Sequence, residues 1–114
     1  MEFENKLIVI TGAAGGIARE TARLLLAGGA QLLLIDPSAA ALEARSAELA
    51  SGERVRIAVS ALESPATCTA ALAGIDRPVF GLVHLAGVFL PDALDSAHRA
   101  LWDATIAANL TNAF

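Results

Sequence analysis

Tyrosine is absent from the sequence, and lysine and cysteine occur once each, as Lys6 and Cys68. A single cysteine excludes an internal disulfide and a zinc site built on cysteines. Cys68 stands in "SPATCTAAL" with no neighbouring histidine, so it reads as small core filler, and a reducing cytoplasm suits it. Long apolar runs are also missing. None approaches the ~18 residues of a membrane span, and "MEFENKLIVI" is acidic ahead of its apolar run, the reverse of a signal peptide. A cytoplasmic protein with no membrane partner is therefore expected. Eight Lys and Arg against twelve Asp and Glu leave a net charge of −4. Without clustered cations there is no nucleic-acid footprint. His84 and His98 have no ligand partners at suitable spacing, which leaves no metal site. His84 reads as a strand-end residue bonded into the sheet, and His98 as an exposed residue at a helix start. Trp102 reads as core or interface filler.

What is present is apolar residues in periodic blocks. They make up 55% of 114 residues, enough for the core of one domain spanning 1–114. "KLIVIT" (6–11), "QLLLID" (31–36), "RVRIAVS" (54–60) and "VFGLVHLAG" (79–87) read as strands, the last running into a turn. Between them lie helical segments at 17–30, stopping at Gly28–Gly29, at 38–50, and at 64–75, where Ser64 caps and Pro65 begins the helix. A further helix is expected over 95–114. The βαβαβαβα order with short connections predicts an α/β fold with a parallel sheet covered on both faces.

The least bulky stretch is "ITGAAGGIA" (10–18), between the first strand and the first helix. At that junction glycines permit a tight turn and let backbone N–H groups reach a diphosphate at the helix N-terminus. Small residues there also serve close strand–helix packing without any ligand. The spacing is G-x-x-x-G-x-A, and no Gly-Lys-Ser/Thr follows, so it is not a Walker loop. Asp36 ends the second strand 24 residues after Gly12 (36 − 12), where an acidic residue accepts hydrogen bonds from an adenosine ribose; before Pro37 it also suits a turn.

"TGAAGGIA" resembles the T-G-x-x-x-G-[IL]-G signature of the short-chain dehydrogenase/reductase family. "LVHLAGV" (82–88) resembles that family's N-N-A-G segment, and "IAANLTNAF" (106–114) its helix bearing a catalytic Asn. The resemblance implies a Rossmann-type doubly wound sheet of about four strands in the order 3-2-1-4. It implies that Gly12, Gly15, Gly16 and Ile17 form the pyrophosphate loop, with Thr11 supporting the turn. It places Asp36 on the adenine ribose, Ala86 and Gly87 beneath the dinucleotide, and Asn109 in the catalytic set. A carboxylate at Asp36, with no cation at Gly15 or Pro37, favours NAD(H) over NADP(H).

The sequence departs from the family pattern in several places. Ala18 replaces the third glycine. Ser60 and Ala61 stand where an Asp near adenine is usual, and His84 and Leu85 where two asparagines are usual. The family's Ser and Tyr-x-x-x-Lys lie beyond the Asn helix, and the pair has no counterpart here, since there is no tyrosine and the one lysine is Lys6. The chain therefore reads as the amino-terminal, cofactor-binding half of an oxidoreductase acting on an alcohol/ketone pair, inactive by itself. The alternatives are a non-catalytic nucleotide-binding or oligomerising module, and an α/β protein binding S-adenosylmethionine, against which the 11–18 spacing argues. With strand 79–85 as an apolar sheet edge, a homo-oligomer through that strand and the helix 95–114 is expected.

Overall fold

The computed structural model describes residues 2–88 and 98–114. Four strands form one parallel sheet: β1 (Leu7–Thr11), β2 (Gln31–Asp36), β3 (Val55–Val59) and β4 (Val79–His84), in the order β3-β2-β1-β4. The expected 3-2-1-4 order is the observed one. β1 pairs with β2 from Leu7↔Gln31 to Thr11↔Ile35, and with β4 up to Thr11↔His84. β2 pairs with β3 up to Asp36↔Val59. The carboxyl ends of all four strands thus form one rim, and the winding direction reverses between β1 and β4, where ligands of open α/β sheets bind.

β1 is buried along its whole length, as a central parallel strand covered on both faces must be. On one face Ile8, Ile10, Leu32, Leu34 and Val55 pack with Ala18, Ala22 and Leu26 of α1 (Gly16–Ala27) and Leu42 of α2 (Ala39–Leu49). Ala18 and Ala22 bring α1 close to the sheet, and each fully buried Leu or Ile contributes ~1.5–3 kcal/mol. On the other face Leu7, Val9, Leu33 and Ile35 pack with Leu62 and with Ala71 of α3 (Pro65–Ala71). Cys68 packs half-buried against this second cluster.

Several expected boundaries shift. The helix expected over 64–75 ends at Ala71, because Leu72, Ala73 and Ile75 donate to carbonyls three residues back and tighten the chain into turns. Its start is as expected: the Ser64 hydroxyl accepts from Thr67 N, and the Thr67 hydroxyl accepts from Ser64 N. The helix expected over 95–114 is α4, Arg99–Asn109, followed by a 3-10 turn over Thr111–Ala113; residues 95–97 lie outside the described ones. At and past its end the Asn109 and Asn112 side chains reach the β4 side, onto Val88 and His84. Trp102 on α4 is exposed, so it is no core residue. Among the described residues no helix is long and apolar enough to cross a membrane, and no group of three His, Cys, Asp or Glu could hold a metal.

Candidate functional site

The rim at the end of β1 is organised by Thr11, the one buried polar residue among those described. Its hydroxyl oxygen accepts from Leu85 N (3.1 Å) and Ala86 N (3.2 Å) and lies 2.7 Å from His84 Nδ1. With its lone pairs facing two N–H donors, the hydroxyl donates its hydrogen to Nδ1. The His84 hydrogen is therefore on Nε2, which donates to Asn112 Oδ1 at 3.2 Å. Thr11 thus fixes the exit of β4, and His84 ties that exit to the turn after α4. The expectation of a histidine bonded into the strand end is met, with a partner on a distant element as well.

Gly12 has φ +64°, the left-handed region that favours glycine. A Cβ there would lie 2.6 Å from Leu85 C and O and 2.7 Å from Ala86 N. This glycine is required by backbone meeting backbone where β1 and β4 exit side by side. Ala13 N then donates to Ile35 O, Ala14 N to Asp36 Oδ2 at 3.2 Å, and Gly15 N to Gly12 O. The other Asp36 oxygen accepts from Ser38 N at 3.0 Å. Asp36 is therefore a structural latch joining the glycine loop to the start of α2. Ser38 in turn caps α2 by accepting from Ala41 N.

Gly16 is different from Gly12: a Cβ there would meet nothing within 4 Å beyond its chain neighbours and its own helix turn. It opens α1, whose N-cap Gly15 has no side-chain acceptor, and whose first turn has no acidic residue. The positive end of a twelve-residue helix thus faces an open rim. Ile17 beside it is 73% exposed and lies outside the buried Ala18, Ala22 and Leu26 stripe of α1. On the β4 side, Asn109 forms two bonds with one residue: Oδ1 accepts from Val88 N and Nδ2 donates to Val88 O, both at 2.8 Å. A Cβ on Gly87 would collide with the Asn109 carboxamide oxygen.

The residues singled out by the motifs thus sit along one rim, where Ala14 N bonds Asp36, Thr11 bonds Leu85 N and Ala86 N, and Gly12 and Gly87 leave no room for a Cβ against the Leu85–Ala86 peptide and Asn109. Ser60, in the place of the family's Asp, donates its N–H to Asp36 O and accepts from Leu62 N. Its hydroxyl is engaged in its own turn. The motifs did not reveal Arg45. This α2 residue reaches back nine positions beyond Asp36 (45 − 36) and donates to the carbonyls of Ala13 (3.3 Å), Ala14 (3.3 Å) and Gly15 (3.0 Å). A lone cation inside the alanine-rich "AAALEARSAEL" was the available signal.

The family model described as short chain dehydrogenase matches residues 6–114. Galactitol 2-dehydrogenase (L-tagatose-forming) of Cereibacter sphaeroides is 39% identical over 92% of this chain and 42% of its own length. The 2,3-dihydro-2,3-dihydroxybenzoate dehydrogenase of Bacillus subtilis is 33% identical over 98% of the chain and 44% of its own. Among solved structures, a short-chain dehydrogenase/reductase from Brucella melitensis superposes with a TM-score of 0.92 at 35% identity, over all of this chain and 49% of that one. The chain spans under half the length of these curated relatives.

Proposed function

The chain belongs to the short chain dehydrogenase family, and we propose that residues 1–114 form one partial domain carrying the adenosine and diphosphate side of a nicotinamide dinucleotide site. The observation that carries this is the pairing of an open Gly16 at the α1 N-terminus with Asp36, which the same loop latches through Ala14 N. Gly16 and Ile17 would receive the diphosphate on backbone N–H groups, with Gly15 as the small residue that lets it approach, and Asp36 would take the adenine ribose. Thr11 and Gly12 would hold the loop against the β4 exit, and Ala86 and Gly87 would form the floor. Asn109, bonded to Val88, would fix that floor and belong to the catalytic set. When bound, the dinucleotide supplies or accepts a hydride in interconverting an alcohol and a ketone. A general acid is needed for the carbonyl oxygen, and without a tyrosine these 114 residues are expected to give no turnover alone.

NAD(H) is the preferred partner in this reading. Asp36 is held by Ala14 N and Ser38 N with its negative charge at the end of β2, where a 2′-phosphate would be repelled. Titration calorimetry with NADH and NADPH tests this, with at least roughly tenfold tighter NADH binding expected, about 1.4 kcal/mol. Asp36→Ala is expected to weaken NADH and to narrow that ratio, because it removes the carboxylate and exposes two backbone N–H donors to an anion. An unchanged ratio in the variant would remove Asp36 from the ribose site.

The same reading includes self-association, with a cytoplasmic location in keeping with the one unpaired cysteine. β4 is the edge of the sheet, and its Phe80 and Leu82 are 57% and 60% exposed, with Trp102 on α4 exposed too. Pairing of two copies through strand 79–85 and α4 would cover them. Light scattering at micromolar concentration is expected to give twice the chain mass; a clean monomer mass would refute the pairing. A nucleotide-binding module without chemistry is favoured by the missing tyrosine alone.

A further inference from the structure

We propose that Arg45 is the positioning residue for the diphosphate, an inference that rests on the dinucleotide reading above. A trans peptide unit points its C=O and its N–H in opposite directions. Arg45 holds the carbonyls of three successive units, those of Ala13, Ala14 and Gly15. The N–H groups of the same units, on Ala14, Gly15 and Gly16, are thereby turned the other way. The protein uses the first two: Ala14 N donates to Asp36 and Gly15 N to Gly12 O. The third, on Gly16, is directed away from Arg45, at a residue where an added Cβ would meet nothing beyond its own helix turn. The guanidinium fork thus sets which way the loop presents its donors.

The charge of Arg45 adds to this. Its side chain is only 12% exposed, and Nε lies 3.6 Å from Glu48 Oε2 without a hydrogen bond. Neutral carbonyls cannot cancel a cation taken out of water. Glu48 is shared with Arg19, and Glu20 with Arg19 and Arg23. With Glu48 divided between Arg45 and Arg19, the Arg45 charge is only partly balanced where it meets the loop carbonyls.

The test compares ADP-ribose, which carries the diphosphate, with adenosine, which does not, on the unsubstituted chain, Arg45→Met and Arg45→Lys. Arg45→Met is expected to weaken ADP-ribose by roughly 10- to 100-fold, the loss of one charged hydrogen-bonding group, and adenosine by less than about threefold. Arg45→Lys keeps the charge without the three-carbonyl fork and is expected to fall between. Equal losses for both probes, or no loss for ADP-ribose, would overturn the role. If Arg45→Met does not fold, Arg45→Lys decides on the same criterion. If neither folds, Arg45 is a scaffold residue and the proposal fails. An unsubstituted chain that binds no ADP-ribose overturns the dinucleotide reading and this role together. Binding that survives unchanged in Arg45→Met overturns this role alone.

Discussion

Gly12→Val is expected to destabilise the fold by about 2–6 kcal/mol, whereas Gly16→Val leaves it nearly unchanged and abolishes dinucleotide binding. The two glycines are four residues apart in one motif, yet their surroundings are opposite. At Gly12 a side chain meets a backbone conformation with φ +64° and the Leu85–Ala86 peptide at 2.6–2.7 Å. A β-branched residue held at positive φ costs about 1–3 kcal/mol. Displacing two packed backbone segments adds about 1–3 more. The neighbours cannot rotate aside as a side chain could, because Thr11 binds Leu85 N and Ala86 N. Against a domain stability of about 5–15 kcal/mol, this is a large fraction. At Gly16 a side chain enters open space at the first position of α1, where exchanging Gly for Val changes helix propensity by only a few tenths of a kcal/mol. Urea midpoints and NADH titrations on both variants separate the two roles. A Gly16→Val chain that binds NADH like its parent would show that the dinucleotide does not use this rim. A Gly12→Val chain with an unshifted midpoint would show that the β1–β4 contact is loose.

The order of elements could be read from local signals, while the strand order 3-2-1-4 followed from the resemblance to the family. Apolar runs such as "LIVI" and "LLLI" separated by amphipathic stretches specify buried parallel strands through their own side chains. The rim was legible only as a set of residues. Why Gly12 must be glycine depends on Leu85 and Ala86, more than seventy positions away, and no local pattern carries that. Asp36 was legible as an acidic residue at the end of β2, but its bonds to Ala14 N and Ser38 N, which join two loops, were not. Ile17 and Leu24 fit the apolar periodicity of α1, yet both are more than 70% exposed, since only the Ala18, Ala22 and Leu26 stripe meets the sheet. Arg45 belongs to none of the motifs. Only the fold of α2 beside the glycine loop gives it three carbonyls.

Thr11→Val is expected to cost about 2–6 kcal/mol, read as a drop in the urea midpoint, although it changes the side-chain volume little. The methyl group that replaces the hydroxyl can neither accept nor donate. Leu85 N keeps a partner, since it also donates to Thr11 O at 3.2 Å. Ala86 N and His84 Nδ1 lose theirs, and each stranded polar group costs about 1–3 kcal/mol. Thr11→Ser keeps the hydroxyl and is expected to recover most of the loss, which distinguishes hydrogen bonding from packing. The chain continues from His84 Nε2 to Asn112 Oδ1, so His84→Leu breaks the same relay one step further along. In the double variant no imidazole nitrogen remains to be stranded, and its destabilisation should fall short of the sum of the two single variants by about 0.5–3 kcal/mol. Strict additivity would mean that Thr11 and His84 stabilise the rim independently, and that the link from β1 through β4 to the turn after α4 is not one connected network.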